Sequence, residues 1–222
     1  MEKPFEPGFW RPLYRADDGV FESEFLSAAA RFVREHPLLA GTTLNSRFSG
    51  TQGFSIAMTR SGFPRLKKSF PLFHQYLEKV TPDRCNAFFI NPLVIAEGSY
   101  VGPHIDRSLS SWTRPELPPY PVKVSVLYLD VPEDLVGGSL LLHPPAWTLA
   151  SKPSITPQTG RLFEFRGNLR HEVAEVRQAK TPRVSLVMEN YELSSELLRK
   201  IPDFYVRSTR TFDSFLEDAL TV

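Results

Sequence analysis

One histidine of this chain lies two positions before an aspartate, in the segment Gly102-Pro103-His104-Ile105-Asp106. In an extended chain, residues i and i+2 point to the same side, so His104 and Asp106 can approach one metal ion together. Imidazole and carboxylate side chains are common ligands of divalent transition metals. A His-x-Asp taken alone is more often a surface turn, so the metal interpretation depends on the rest of the chain.

A second group of chemically capable residues follows downstream. His171 lies in the run Leu169-Arg170-His171-Glu172-Val173, and Arg183 opens an apolar run that continues to Val187. Ser185 comes two positions after Arg183, so in a strand both side chains point to the same face. Two histidines, one aspartate and one arginine can therefore converge on one site.

In their order along the chain, these motifs resemble those of the 2-oxoglutarate- and Fe(II)-dependent oxygenases, in particular the prolyl-hydroxylase-like branch. The resemblance runs from Asn86 to Tyr191. Its motifs are His104-x-Asp106, the strand end Tyr128-Leu129-Asp130, the turn Gly137-Gly138, the strand Pro157-x-x-Gly160-x-x-x-x-Phe165, His171-Glu172-Val173 and Arg183-x-Ser185.

The resemblance implies roles for these residues. His104, Asp106 and His171 are expected to hold Fe(II) as a facial triad, which leaves open positions for the co-substrates 2-oxoglutarate and O2. Arg183 is expected to bind the distal carboxylate of 2-oxoglutarate, because a guanidinium forks onto a carboxylate. Ser185 is expected to donate a second hydrogen bond and Tyr128 to contact the co-substrate. No catalytic residue is expected beyond the metal centre.

Two of these assignments have alternatives. His143 ends a predicted strand after the Gly-Gly turn and can replace His171 as a ligand, although it precedes the strand that the distal ligand follows in relatives. The spacing of His171 and Arg183 is slightly longer than usual, so Lys180 is an alternative partner for the co-substrate carboxylate. We favour Arg183 because it begins the apolar strand, whereas Lys180 lies in the turn before it.

The implied reaction is hydroxylation of a C–H bond in a small molecule or a prolyl or peptidyl substrate, with release of succinate and CO2. Halogenation is disfavoured because Asp106 occupies the position that iron halogenases leave open. Nucleic-acid demethylation is disfavoured because no second arginine follows Arg183 in Val184–Tyr191. The alternatives are a non-catalytic jelly-roll module that binds or senses metal or 2-oxoglutarate, and a cupin-type enzyme without 2-oxoglutarate, which leaves Arg183 and Ser185 unexplained.

The elements that must position these residues are mainly β. Hydrophobic periodicity predicts helices at 21–36 and 66–80, strands at 87–96, 122–131, 139–143, 161–166, 171–176 and 183–191, and helical segments at 193–201 and 211–219. This order indicates a jelly roll with flanking helices, in agreement with the double-stranded, cupin-like β-helix that the resemblance implies. We expect one domain over 1–222, with a helical support region at 1–85, the β core at 86–191 and a C-terminal helical segment at 192–222.

Two segments are candidates for substrate binding. The loop from Arg107 to Tyr120 follows the Asp ligand and contains Trp112 and Arg114; it can act as a lid with these residues contacting substrate, or be a proline-stiffened surface loop. Arg60 and Arg65 flank a turn and face either an anionic substrate or solvent.

Composition limits the cellular partners. The 26 basic and 25 acidic side chains leave a net charge of +1, which gives no general attraction to nucleic acid or to anionic membranes. Cys85 is the only cysteine, and no apolar run approaches the length of a membrane span. We therefore predict a cytoplasmic protein without nucleic-acid or membrane partners, and leave its oligomeric state open.

Overall fold

The computed structural model describes residues 13–41, 48–143 and 152–209. Its helices are α1 (Ser23–Glu35), α2 (Phe63–Ser69), α3 (Pro71–Val80), α4 (Ser110–Thr113) and α5 (Ser195–Leu198), with a 3-10 turn at Arg60–Gly62. Its strands are β1 (Tyr14–Asp17), β2 (Ala40–Gly41), β3 (Phe48–Ser49), β4 (Gln52–Gly53), β5 (Ser55–Thr59), β6 (Ala87–Ile95), β7 (Tyr100–His104), β8 (Lys123–Asp130), β9 (Val136–Gly137), β10 (Leu140–His143), β11 (Ser154–Ile155), β12 (Leu162–Phe165), β13 (Arg170–Val173), β14 (Val176–Gln178), β15 (Arg183–Tyr191) and β16 (Phe204–Arg207).

The larger sheet has the strand order β1-β12-β8-β15-β6-β4-β2, and β6 also pairs with β5, which in turn pairs with β16. Strand β15 lies at its centre and pairs with β6 along its full length from Arg183 to Tyr191. The smaller sheet has the order β11-β10-β13-β7-β3. Side chains of both sheets, including Val126 and Leu142, form one apolar cluster between them, so the two sheets face each other as in a jelly roll.

The helices cover the other face of the larger sheet. Helix α1 buries Leu26, Ala29, Ala30 and Val33, which recur at the helical spacing that forms one stripe. These side chains belong to the same core as Phe73 and Leu77 of α3 and Leu186 of β15. One face of the central strands therefore packs on helices, and the other faces the smaller sheet and carries the candidate site.

The predicted jelly roll with flanking helices is confirmed, and all six predicted strands are present within a few residues, although the one predicted at 171–176 is broken into β13 and β14. The predicted helix at 66–80 is two helices, because Pro71 lacks an N–H and forces Phe70 out of helical geometry, to φ −137° and ψ 62°. The N-terminal region also contributes β1 to β5, which the sequence analysis missed. The predicted helix at 193–201 contains only α5, and β16 follows it; the predicted helix at 211–219 lies outside the described residues.

No helix in the described part of the chain is long and apolar enough to cross a membrane.

Candidate metal centre and adjoining cavity

Three potential metal ligands meet in the smaller sheet. His104 ends β7 and is directly opposite His171 of the neighbouring β13, and Asp106 follows two residues after the end of β7. One ligand atom from each of the three side chains lies within 4.8 Å of the others. His104 Nε2 is 3.3 Å from Asp106 Oδ1, and His171 Nε2 is 3.4 Å from Asp106 Oδ2. The backbone pairing of two strands thus brings together side chains that are far apart in sequence.

Backbone carbonyls orient both rings. Nδ1 of His104 is 2.8 Å from the carbonyl of Gly102, and Nδ1 of His171 is 3.1 Å from that of Leu169. An Nδ1–H on each ring can donate to that carbonyl, which leaves Nε2 available on the side that faces Asp106, as in metal-binding imidazoles.

The electrostatics of the three groups also suit a cation. Burial lowers the pKa of His171, which favours its neutral, ligating form. Burial also opposes the charged forms of His104 and Asp106. The hydrogen bond to Asp106 and its charge nevertheless raise the pKa of His104, and the charge of His171, with the hydrogen bond and charge of His104, lowers the pKa of Asp106. Oδ2 of Asp106 is buried and has no hydrogen-bond donor among the described residues. The two imidazole nitrogens and the Asp106 carboxylate form a donor set that fits Fe(II).

A cavity of about 480 Å³ opens beside the three ligands, between the two sheets. Arg183, Ser185 and Tyr128 of the larger sheet line it. Arg183 is only 2% exposed, and its Nε and Nη1 have no hydrogen-bond partner among the described residues. Its Cζ lies 5.3 Å from the centre of the Tyr128 ring, and Tyr128 is in register with Ser185 on the adjacent strand. Two unsatisfied donor nitrogens on a buried guanidinium are costly, so they indicate an anionic ligand.

The Gly-Gly turn packs behind this arginine. Gly138 has a φ of +67°, and a Cβ there would lie 3.0 Å from Val176 Cγ2 and 3.6 Å from Arg183 Nε. The left-handed backbone and the close approach to Val176 both favour glycine at this position.

Solved structures share this architecture. A prolyl-4-hydroxylase from Pseudomonas putida matches with a TM-score of 0.54 and 16% identity, over 82% of this chain and 94% of that one. An oxidoreductase of the 2OG-Fe(II) oxygenase family from Burkholderia pseudomallei matches with a TM-score of 0.52 and 16% identity, over 81% and 85% of the two chains. A prolyl hydroxylase from Trichoplax adhaerens, in complex with a peptide fragment of hypoxia inducible factor, matches with a TM-score of 0.54 and 14% identity, over 84% and 86%.

The chain has the fold of the 2OG-Fe(II) oxygenases. No family model and no curated protein sequence matches it. The likeness is therefore one of structure and not of sequence.

The structure separates the alternatives for two positions of the site. Leu142 is the residue in register with His171, so His143 points to the opposite face of β10, where its Nε2 lies 3.0 Å from Glu172 Oε1. Lys180 is exposed, outside the cavity, and its backbone N–H donates to the Asp134 carboxylate. Neither His143 nor Lys180 is placed to serve the site.

The residues predicted to contact substrate do line the cavity. The guanidinium of Arg107 lies over the Tyr120 ring, 3.8 Å from its centre, and its Nε is buried without a hydrogen-bond partner among the described residues. Trp112 is on the short helix α4 and packs edge-on against Tyr205, with ring centres 5.8 Å apart. Arg114 is exposed at the cavity rim.

Arg60 has a structural position instead. It donates hydrogen bonds to the backbone carbonyls of Pro82, Asp83 and Cys85, and neither it nor Arg65 lines the cavity. Contact of these two arginines with an anionic substrate therefore has no support from the cavity: Arg65 faces solvent, and Arg60 holds the turn before β6.

Sequence reasoning missed Glu189, a buried carboxylate in the cavity wall. Oε2 accepts a hydrogen bond from the backbone N–H of Ser108 at 3.1 Å, the Ser108 hydroxyl donates to Oε1, and Tyr191 OH donates to Oε2. Glu189 thereby ties β15 to the segment that follows Asp106. Burial, together with the charge of Asp106, raises its pKa to about 8. The two-residue period of the strand puts Glu189 on the same face as Arg183, Ser185 and Val187, which indicates its place in the cavity wall but not its partners.

Proposed function

We propose that this chain is an Fe(II)- and 2-oxoglutarate-dependent oxygenase. The observation that carries the proposal is the shared cavity: the His104, Asp106 and His171 ligand set lines the same space between the sheets as the buried Arg183 guanidinium, whose Nε and Nη1 lack partners among the described residues. A metal-binding cupin without 2-oxoglutarate needs the first feature but leaves the second without a partner. The likeness to solved 2OG-Fe(II) oxygenases supports the same conclusion.

Each residue of the site has a distinct role in this proposal. His104, Asp106 and His171 hold the iron through Nε2, a carboxylate oxygen and Nε2. Arg183 binds the distal carboxylate of 2-oxoglutarate, and the face of Tyr128 orients its guanidinium. The Ser185 hydroxyl makes a long hydrogen bond of 3.4 Å to the Leu93 carbonyl, so it can turn to donate to the same carboxylate. When bound, iron with 2-oxoglutarate and O2 supplies the oxidation of a substrate C–H bond, with release of succinate and CO2.

The protein surroundings keep this site fixed and dry. His104 and His171 are 8% and 6% exposed, and backbone carbonyls set their ring orientation before any ion binds. Glu189 holds the backbone after Asp106 through Ser108. Low exposure strengthens the attraction between Arg183 and an anionic co-substrate.

The substrate is a small molecule or a peptidyl residue, and the loop with Arg107, Trp112 and Arg114 contacts it. The neutral overall charge supports the absence of a nucleic-acid or membrane partner, and the single cysteine supports a cytoplasmic location. The competing candidate is a module that binds the metal and 2-oxoglutarate without turnover.

Turnover distinguishes the two candidates. Purified protein incubated with Fe(II), 2-oxoglutarate and O2 is expected to produce succinate slowly even without its substrate, and not to do so under argon or as His171→Ala. Circular dichroism of the variant controls for folding. Bound 2-oxoglutarate without any succinate, also in the presence of a broad metabolite extract, would identify the binding module.

A further inference from the structure

A polar row crosses the larger sheet on the cavity side, on strands β6, β5 and β16, which lie on the opposite side of β15 from the Tyr128 strand β8. Arg207 of β16 is in register with Ser55 of β5. Since Ile56 pairs with Ile90, the same antiparallel register places Ser55 beside Asn91 of β6. All three side chains line the cavity; Ser55 and Asn91 are 4% and 5% exposed, and Arg207 is exposed. The side-chain amide of Asn91 donates to the backbone carbonyls of Phe54 and Pro92. Buried polar residues in such a row are typical of a surface that recognises a polar ligand.

Strand β16 directs Arg207 toward the substrate loop. Tyr205 lies two residues before Arg207, so both point to the same side of the strand. The Tyr205 ring packs edge-on against Trp112 of that loop. An aromatic surface therefore adjoins the guanidinium at the cavity mouth.

The charges around the cavity are unequal. Besides Arg183, the arginines Arg107, Arg114 and Arg207 line it, and none of these three forms an ion pair within the described residues. Two carboxylates, Asp106 and Glu189, also line the cavity, and Glu189 already accepts hydrogen bonds from Ser108 and Tyr191. With 2-oxoglutarate on Arg183 and Asp106 on the metal, a positive excess remains that attracts anions into the cleft.

From this row and this excess we infer that the substrate carries an anionic group, a carboxylate or a phosphate, which Arg207 binds at the cavity mouth. The inference rests on the proposed function, because it assigns Arg183 to the co-substrate. Arg207 is the specificity-determining residue: its planar fork can bind either anion through two parallel hydrogen bonds, and a regular strand positions it. The apolar part of the substrate then lies against Trp112.

The test uses three probes of similar size: 3-phenylpropionate, phenyl phosphate and the neutral 3-phenylpropanamide. Their dissociation constants are measured by ligand-observed NMR on the Fe(II)-loaded, full-length chain under argon, with saturating 2-oxoglutarate to occupy Arg183. The variants are Arg207→Gln and, as a matched control, Arg177→Gln, an exposed arginine of β14 outside the cavity.

We expect wild type and Arg177→Gln to bind one of the anions roughly tenfold more tightly than the amide, and Arg207→Gln to lose that preference. The anion that binds more tightly names the group. Equal binding of amide and anions by the wild type, an undiminished preference in Arg207→Gln, or displacement of the anions by additional 2-oxoglutarate would each overturn the inference. The 2-oxoglutarate isotherm of the same samples is read separately, and a wild type that does not bind 2-oxoglutarate refutes the proposed function itself.

Discussion

His104 and His171 face each other across two paired strands, with their ring centres 4.3 Å apart. Each ring is held by a carbonyl two residues before it in sequence, Gly102 for one and Leu169 for the other. The strand pairing and these two hydrogen bonds therefore fix the positions and orientations of the two rings. A second and larger apolar cluster lies away from the site, between the helices and the other face of the larger sheet, so loss of a ligand should not unfold the chain.

Substitution of His171 and of His143 distinguishes the metal ligand from the neighbouring histidine that does not bind the metal. His171→Ala should abolish stoichiometric Fe(II) binding in anaerobic equilibrium dialysis and leave the far-UV circular dichroism unchanged. His143→Ala should bind iron as the wild type does, because His143 points to the other face of β10. The opposite pair of results would transfer the ligand role to His143.

Substitutions of Arg183 and Lys180 should have different effects on the KM for 2-oxoglutarate. Arg183→Ala should raise the KM for 2-oxoglutarate by roughly 10- to 150-fold, which corresponds to the loss of a hydrogen bond to a charged group in a buried site. Lys180→Ala should change this KM less than twofold, since Lys180 is exposed and outside the cavity. A large effect of Lys180→Ala with a small one of Arg183→Ala would reverse the assignment.

The buried Glu189 should make the stability of the metal-free protein depend on pH. Its pKa rises from an ordinary value of 4.5 to about 8 in the folded state, so the folded chain holds the proton more tightly than the unfolded chain. The stabilisation is complete below pH 4.5 and is lost as the pH rises through 8. Urea unfolding should show Glu189→Gln gaining on the wild type by on the order of 1–3 kcal/mol between pH 5 and pH 9. The free energy of unfolding of Glu175→Gln, an exposed control, should follow the same pH dependence as that of the wild type. If Glu189→Gln also followed the wild-type pH dependence, the burial argument would be disproved.

The variants Arg60→Ala and Arg65→Ala should differ in their free energy of unfolding but not in their activity. Arg60→Ala removes donors from the carbonyls of the turn before β6 and should lower the free energy of unfolding by about 1–2 kcal/mol. Arg65→Ala, on the exposed face of α2, should stay within about 0.5 kcal/mol of the wild type. Neither variant should change the KM for 2-oxoglutarate, and a raised value for either would return that arginine to the list of ligand-binding residues.

The long strands and the site motifs were predictable because their signals are local. Strand β15 occupies the predicted residues Arg183–Tyr191, since a continuous apolar run between a Pro turn and a polar segment has few other solutions. His104 with Asp106, and Arg183 with Ser185, follow from the two-residue period of extended chain. Helix α1 differs from its predicted bounds by only two residues at the start and one at the end.

The short strands could not be predicted in the same way. Strands β2 to β4 have two residues each, and β16 pairs with β5 from the other end of the chain. Such strands exist because a partner supplies hydrogen bonds, and local propensity carries little information about them. The contribution of Arg207 depends on this pairing, which is why the sequence indicated the loop arginines but not Arg207. Glu189 was missed for a different reason, because a carboxylate near the end of an apolar strand gives no sign of the Ser108 and Tyr191 donors that hold it.

The claim that iron and 2-oxoglutarate share one cavity is tested most directly by their mutual effect on binding. The dissociation constant of 2-oxoglutarate should be measured by anaerobic calorimetry with and without Fe(II), for the wild type and for His171→Ala. We predict that Fe(II) tightens the binding of 2-oxoglutarate to the wild type by roughly 10- to 100-fold and that His171→Ala shows no such coupling. Binding of 2-oxoglutarate that is indifferent to Fe(II) in a folded wild type, or coupling that survives in His171→Ala, would contradict it.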